Sequence, residues 1–130
     1  VFVFDQIKKD WEVFRKQILT KKPDLILGVA KGGKYSRIEP IAINKFGKLG
    51  RVEKDGPEEV KLWIPEGNMM KVSQEPSRSF CNWTMYKIAR LIETEKLPTR
   101  LSFTHLGKDG LKQLGFNKVS SVDFGFLGAK

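Results

Sequence analysis

Two side chains in this sequence carry the chemistry of covalent catalysis and occur once each, Cys81 and His105. A thiolate is a nucleophile, an imidazole can take and return its proton, and a carboxylate can hold that imidazole in the useful tautomer. Cys81 follows Pro76-Ser77-Arg78-Ser79 and opens a stretch of helical periodicity. A thiol at a helix N-terminus meets the positive end of the dipole, which favours the thiolate. The same residue also fits a small buried hydrophobe, the usual place of a lone cysteine. His105 closes the run Leu101-Ser102-Phe103-Thr104, at the carboxyl end of a predicted strand, where functional residues of open parallel sheets gather. A lone histidine fits a surface or a satisfied core position as well. Glu39 interrupts the otherwise apolar residues 38–43. If buried there it needs a partner and could orient a histidine; if not, it is an edge residue beside Pro40.

A second signal is Gly28-Val29-Ala30-Lys31-Gly32-Gly33-Lys34, which matches the phosphate-loop pattern G-x-x-x-x-G-K directly after an apolar strand. The next residue is Tyr35, where a magnesium-binding hydroxyl should stand. Pro40 lies where the phosphate-binding helix should run. A loop that needs glycine dihedrals explains the pattern better than a nucleotide site.

The elements that must position these residues follow from periodicity. Residues 1–4 read as a buried strand, with Asp5 as the cap of the helix after it. Over residues 6–21, Ile7, Trp11, Phe14, Ile18 and Leu19 recur at helical spacing, and Pro23 stops the helix. Leu25-Ile26-Leu27 is a second strand. Strand, helix and strand make a βαβ unit, which predicts a parallel sheet with helices on its faces. Residues 45–59 are polar and turn-rich, and residues 60–64 and 69–73 read as short strands. A helix is predicted over residues 81–96, ended by Pro98, then a strand over 100–106 and a short helix over 108–114 closed by Gly115. Residues 120–130 have no clear period. The expected fold is a single α/β domain over residues 1–130, a mainly parallel sheet flanked by helices.

Composition narrows the function. A 40% hydrophobic share with 30% charged residues is that of a globular chain rather than a disordered one. No apolar run approaches the roughly 18 residues of a membrane span, and nothing resembles a secretory leader. A single cysteine allows no internal disulfide, which fits a cytoplasmic protein. One His and one Cys offer no metal-ligand cluster, so neither a metal nor another cofactor is implied. The net charge of +9 favours anionic partners, but its lysines are scattered and no nucleic-acid motif occurs. A solvated basic surface is the simpler reading, with nucleic acid disfavoured.

Several segments together are similar to the pyroglutamyl peptidase I family, cysteine peptidases that remove an N-terminal pyroglutamate. Lys22-Pro23-Asp24-Leu25-Ile26-Leu27-Gly28, continuing through Ala30 and Gly32 to Glu39-Pro40-Ile41-Ala42-Ile43-Asn44, resembles the family's strand, glycine loop and E-R-V-A-I-N segment. Asp55-Gly56-Pro57 resembles its D-G-P. Phe80-Cys81-Asn82 with Met85-Tyr86 resembles V-C-N-x-x-M-Y, and Phe103-Thr104-His105 resembles F-x-H. The likeness runs over residues 1–105. It implies Cys81 as nucleophile, His105 as general base and Glu39 as the third catalytic residue.

The sequence also departs from that pattern. The family's opening strand and T-G-F-x-P-F loop, whose aromatics help hold the pyroglutamyl ring, have no counterpart after Val1. Its Gln after the first glycine is Val29, its Arg after the catalytic Glu is Pro40, and its A-G-T before the Cys is Pro76-Ser77-Arg78. The triad positions carry over and the ring pocket does not.

The resemblance thus implies a peptidase acting on peptides with an N-terminal pyroglutamate, with amide N–H groups at the start of the Cys81 helix as oxyanion donors. A homo-oligomer is left open. Other readings are a degenerate homologue of weak activity and a basic binding module. The peptidase reading expects a Cys81–His105 contact within roughly 4 Å and Glu39 on the other ring nitrogen.

Overall fold

The computed structural model describes residues 2–4, 6–77, 79–113 and 122–127. In chain order its elements are β1 (Phe2–Phe4), α1 (Ile7–Lys21), β2 (Leu25–Lys31), β3 (Arg37–Ile38), β4 (Ile41–Ile43), β5 (Glu59–Lys61), β6 (Lys71–Val72), α2 (Phe80–Thr94), β7 (Arg100–Leu106), α3 (Lys108–Gln113) and β8 (Val122–Leu127). The centre of the molecule is the parallel pair β2 and β7, in register from Leu25↔Arg100 to Lys31↔Leu106. Along β2, Ile26 and Ala30 turn inward as strand alternation requires.

The architecture is the expected α/β one, with a mixed sheet ordered β1-β8-β2-β7-β3-β6. β1 and β2 run the same way on either side of α1, as a βαβ unit predicts, but β8 lies between them, antiparallel to both. No strand is expected over residues 122–127 from the sequence reading, although Val122, Phe124 and Phe126 alternate with Asp123 and Gly125 at the strand period. Its place between β1 and β2 gives it a backbone ladder on both edges. Outside the β2–β7 pair, β3 is antiparallel to β7, and β6 is parallel to β3. β4 and β5 form a separate antiparallel pair, joined by the turn-rich residues 44–58. β5 and β6 are shorter than or offset from the runs predicted over residues 60–64 and 69–73, and β3 and β4 have no predicted counterpart.

α1 and α2 lie side by side over one face of the sheet. Trp11, Phe14 and Ile18 of α1 and Met85, Ile88 and Leu91 of α2 share a core with Ile26, Ala30, Leu101 and Phe103. Trp11 and Trp83 meet edge to face at 6.0 Å, which fixes the helices against each other. Phe14, Ile18, Ile26, Met85, Ile88 and Phe103 are fully buried, each worth roughly 1.5–3 kcal/mol of apolar burial. The expected Asp5 cap lies outside the described residues. The N-cap is Gln6, whose N–H donates to the Asp10 carboxylate at 2.6 Å. α1 ends at Lys22 in the left-handed conformation, with Pro23 next. α2 and β7 follow the predicted bounds closely, while the cap at Gly115 lies outside the described residues.

The phosphate-loop pattern does not fold as one. Gly28 sits within β2, in register with Phe103, and the element after Gly33 is the strand β3. A strand rather than a helix follows the loop, so the loop does not lead into the helix N-terminus that a phosphate loop uses. Among the described residues no helix is long and apolar enough to cross a membrane.

Candidate active site

Strand register brings Glu39 to His105. β3 and β7 are antiparallel with Arg37 opposite His105 and Ile38 opposite Thr104. One step beyond β3, the Glu39 N–H donates to Phe103 O at 2.8 Å, continuing the ladder. Opposed residues of an antiparallel pair share a face, and so do residues two apart on one strand. Arg37, Glu39, Phe103 and His105 therefore share one face of the sheet. Glu39 is the diagonal neighbour of His105, near enough for a long side chain to reach. Its Oε1 stands 2.8 Å from His105 Nδ1. A carboxylate can only accept, so Nδ1 carries the proton and donates it, which leaves Nε2 with the lone pair in the neutral ring.

Cys81 comes to the same ring from above. It stands in the first turn of α2 and is buried, as are His105 and Glu39. The neighbouring residue does the anchoring. Asn82 is fully buried; its Oδ1 accepts from Ile43 N–H at 2.8 Å, and its Nδ2 donates to Ile43 O and Lys45 O, each at 2.8 Å. These bonds tie the start of α2 to β4. The Cys81 thiol stands close enough to His105 to help hold the imidazole pKa up. The structure thus brings all three sequence-selected residues together. Ser79, the N-cap, makes no side-chain capping bond; its hydroxyl pairs with Ser77 Oγ at 2.9 Å. Trp83 N–H is bonded to Ser79 O at 3.1 Å, and the N–H groups before it in the first turn have no place in the helical ladder.

Opposing influences act on the imidazole. Burial, the largest, pushes its pKa down, but hydrogen bonds to Cys81 and Glu39, together with their charges, outweigh it and leave the pKa above the ordinary 6.5. Arg37 adds a cation at the edge of the cluster: its Nε lies 3.4 Å from Glu39 Oε1, and its Nη1 donates to Gly32 O at 3.0 Å. Glu39 Oε2 is buried with no hydrogen-bond partner. Among the described residues no group of three or more His, Cys, Asp or Glu side chains could hold a metal.

The loop over residues 32–36 closes on the ring because two glycines permit it. A Cβ on Gly32 would stand 3.0 Å from His105 Cδ2, and one on Gly107 would run into the backbone of Lys34 and Tyr35. Ser36 Oγ donates to Asp109 Oδ1 at 3.0 Å and accepts from Gly107 N–H at 3.1 Å, pinning the loop to the start of α3. Asn82, Arg37 and Gly107 had no assigned role in the sequence. Asn82 was visible only as the letter after the cysteine in a matched motif, and the others depend on register and loop packing.

No protein-family model matches the chain, and no curated protein does at a significant level. Solved structures do. The pyrrolidone carboxyl peptidase of Thermococcus litoralis matches with a TM-score of 0.68 at 17% identity, over 81% of this chain and 59% of that one. Pyroglutamyl peptidase I of Bacillus amyloliquefaciens matches with a TM-score of 0.65 at 22% identity, over 82% and 61%. A mutant pyrrolidone carboxyl peptidase from the hyperthermophile Pyrococcus furiosus gives 0.66 at 21%, over 91% and 68%. This chain spans only 59% and 61% of the first two. Its α/β architecture, with a central parallel pair and helices laid on the sheet, is thus the fold of the pyroglutamyl peptidases.

Proposed function

We propose that the chain is a cysteine peptidase that removes an N-terminal pyroglutamyl residue from peptides. The observation that carries this reading is the Glu39–His105 hydrogen bond with Cys81 beside the same ring, inside a fold shared with such peptidases. In the proposed reaction the Cys81 sulfur attacks the pyroglutamyl acyl carbonyl while His105 Nε2 takes the thiol proton. The carbon–nitrogen bond of the tetrahedral intermediate then breaks as His105 returns that proton to the leaving amine. Water hydrolyses the thioester, freeing pyroglutamate and the thiol. Glu39 keeps Nδ1 protonated and the ring in place. The free N–H groups of the first turn of α2 are suited to the oxyanion.

Neither a metal nor a cofactor has a part in this scheme. The compartment that fits this reading is the reducing cytoplasm, where a single thiol persists as such. Hydrolysis of a pyroglutamyl fluorogenic amide tests the reading. Turnover that disappears in Cys81→Ala supports it; a folded protein with a free thiol and no turnover of any pyroglutamyl substrate sinks it.

A second reading, a homologue of weak activity, is favoured by Pro40. It stands beside Glu39 where the resembling family has an arginine, and Pro cannot supply that cation. Slow but Cys81-dependent turnover is its signature.

A further inference from the structure

His105 must hand its proton to the leaving amine, so the peptide beyond the scissile bond has to lie against the Nε2 edge of the imidazole. Gly32 packs against the adjoining Cδ2–Cγ side of the ring. Cδ2, one of the two ring carbons bonded to Nε2, is the atom a Cβ on Gly32 would approach to 3.0 Å. The segment is Lys31-Gly32-Gly33-Lys34, and together with Lys108 it lines one open recess. Lys31, Lys34 and Lys108 are exposed. Arg37 closes the near side, donating to Gly32 O at 3.0 Å, with a Cβ on Gly33 placed 3.1 Å from the same nitrogen. Beyond Lys34, the Lys71 ammonium lies 4.9 Å from the centre of the exposed Tyr35 ring.

Among the described residues, Glu39 and Asp109 stand near this group of cations, and both are engaged. Glu39 is buried against His105 and Arg37. Asp109 accepts from the Ser36 hydroxyl and from the Ser36 and Gly110 N–H groups, and it lines the neighbouring recess instead. Among the described residues no carboxylate forms an ion pair with Lys31, Lys34 or Lys108.

The geometry points to a subsite for acidic residues on the carboxyl side of the scissile bond. Resting on the peptidase reading above, the preferred substrates are pyroglutamyl peptides with Asp or Glu in the positions after the pyroglutamate. The lysines raise the local concentration of an anionic peptide and speed its encounter, an effect that salt screens. The missing Cβ of Gly32 lets the segment that carries Lys31 and Lys34 close on the ring, which brings their charges to the edge of the site.

Binding and turnover are measured separately with three peptides in which pyroglutamate is followed by Ala-Ala, Glu-Glu or Lys-Lys. In the Cys81→Ala protein, calorimetry should show the Glu-Glu peptide binding about tenfold more tightly than Ala-Ala at about 0.02 M salt, with the gap closing at about 0.5 M. The Lys-Lys peptide should bind most weakly. Lys31→Glu, Lys34→Glu and Lys108→Glu should each narrow the preference and together reverse it, whereas Lys16→Glu, an exposed reversal on α1, should not. Equal affinities, or a preference that survives all three reversals, overturn the subsite. So does a short single-stranded RNA that displaces the Glu-Glu peptide and binds more tightly, which would make the patch a nucleic-acid surface. Turnover of the Ala-Ala peptide by the native protein tests the peptidase reading on its own. Hydrolysis without charge preference removes only the subsite, and charge preference without hydrolysis removes only the peptidase.

Discussion

His105 Nδ1 lies 2.8 Å from Glu39 Oε1, a contact made across antiparallel strands and 66 residues of sequence. Both side chains are almost wholly inside the protein. A carboxylate buried this deeply is tolerated only with charge or hydrogen-bond partners, and here it has the imidazole and the more distant Arg37.

That dependence predicts strong coupling. His105→Leu should destabilise the protein by roughly 3–5 kcal/mol, because it strands the Glu39 charge. Adding Glu39→Leu should recover much of the loss instead of doubling it. Urea unfolding of both single variants and the double variant measures the coupling; strictly additive costs would mean the two groups do not support each other.

Glu39→Gln keeps the volume and removes the charge. With one of its supports gone, the His105 pKa should fall, and the acid limb of kcat/KM should move to lower pH. The maximal rate should drop by about 10² or more, since an amide can stabilise the wrong tautomer. His105 is the only histidine, so its ring resonances report both tautomer and pKa without assignment ambiguity. An unmoved titration would remove Glu39 from the proposed mechanism.

Stability should weaken at both ends of the pH scale, for opposite reasons. The folded-state pKa of His105 lies above its ordinary 6.5, so its contribution is complete below that value and is lost as pH rises through the folded one. Glu53 behaves in the opposite sense. Two hydrogen bonds from Arg90, each 2.9 Å, hold its pKa below the ordinary 4.5. Its contribution is present above 4.5 and is lost as pH falls through the folded value. Urea midpoints against pH should show the alkaline decline flattened in His105→Gln and the acid decline flattened in Arg90→Gln.

Asn82→Ala should cost about 2–4 kcal/mol. It removes three hydrogen bonds at once and leaves the Ile43 N–H and two carbonyls without the side chain that satisfies them. Because the lost bonds hold the start of α2, thiol alkylation of Cys81 should also change, at a pH and urea concentration where the fold remains intact. A neutral effect on both readouts would show that α2 is held by its apolar face alone.

Local pattern was enough for much of the architecture. β7 occupies the predicted residues 100–106, and α1 and α2 begin and end within two residues of the predicted positions. Period and proline punctuation determine such elements from within. Cys81, His105 and Glu39 could be singled out because each is rare or out of place in its surroundings. Their mutual contacts are another matter, since they follow from β3 meeting β7 in one register and from Asn82 fastening α2 to β4. Neither leaves a periodic trace. β8 is a different case: Val122, Phe124 and Phe126 alternate at the strand period, but its place between β1 and β2 is set by pairing across more than 90 residues of sequence.

The place of β8 also sets the timetable of folding. Its partners are β1 and β2, so Phe124 is paired with both Phe2 and Gly28. During synthesis, β1, α1 and β2 leave the ribosome long before the strand that belongs between them. Until it arrives, two apolar strand edges stay open to other chains. Contacts this distant in sequence slow the search for the native state and lengthen the interval in which aggregation competes. Expression at reduced temperature, or with a chaperone that shields strand edges, should therefore raise the yield of folded protein more than stabilising the finished core would.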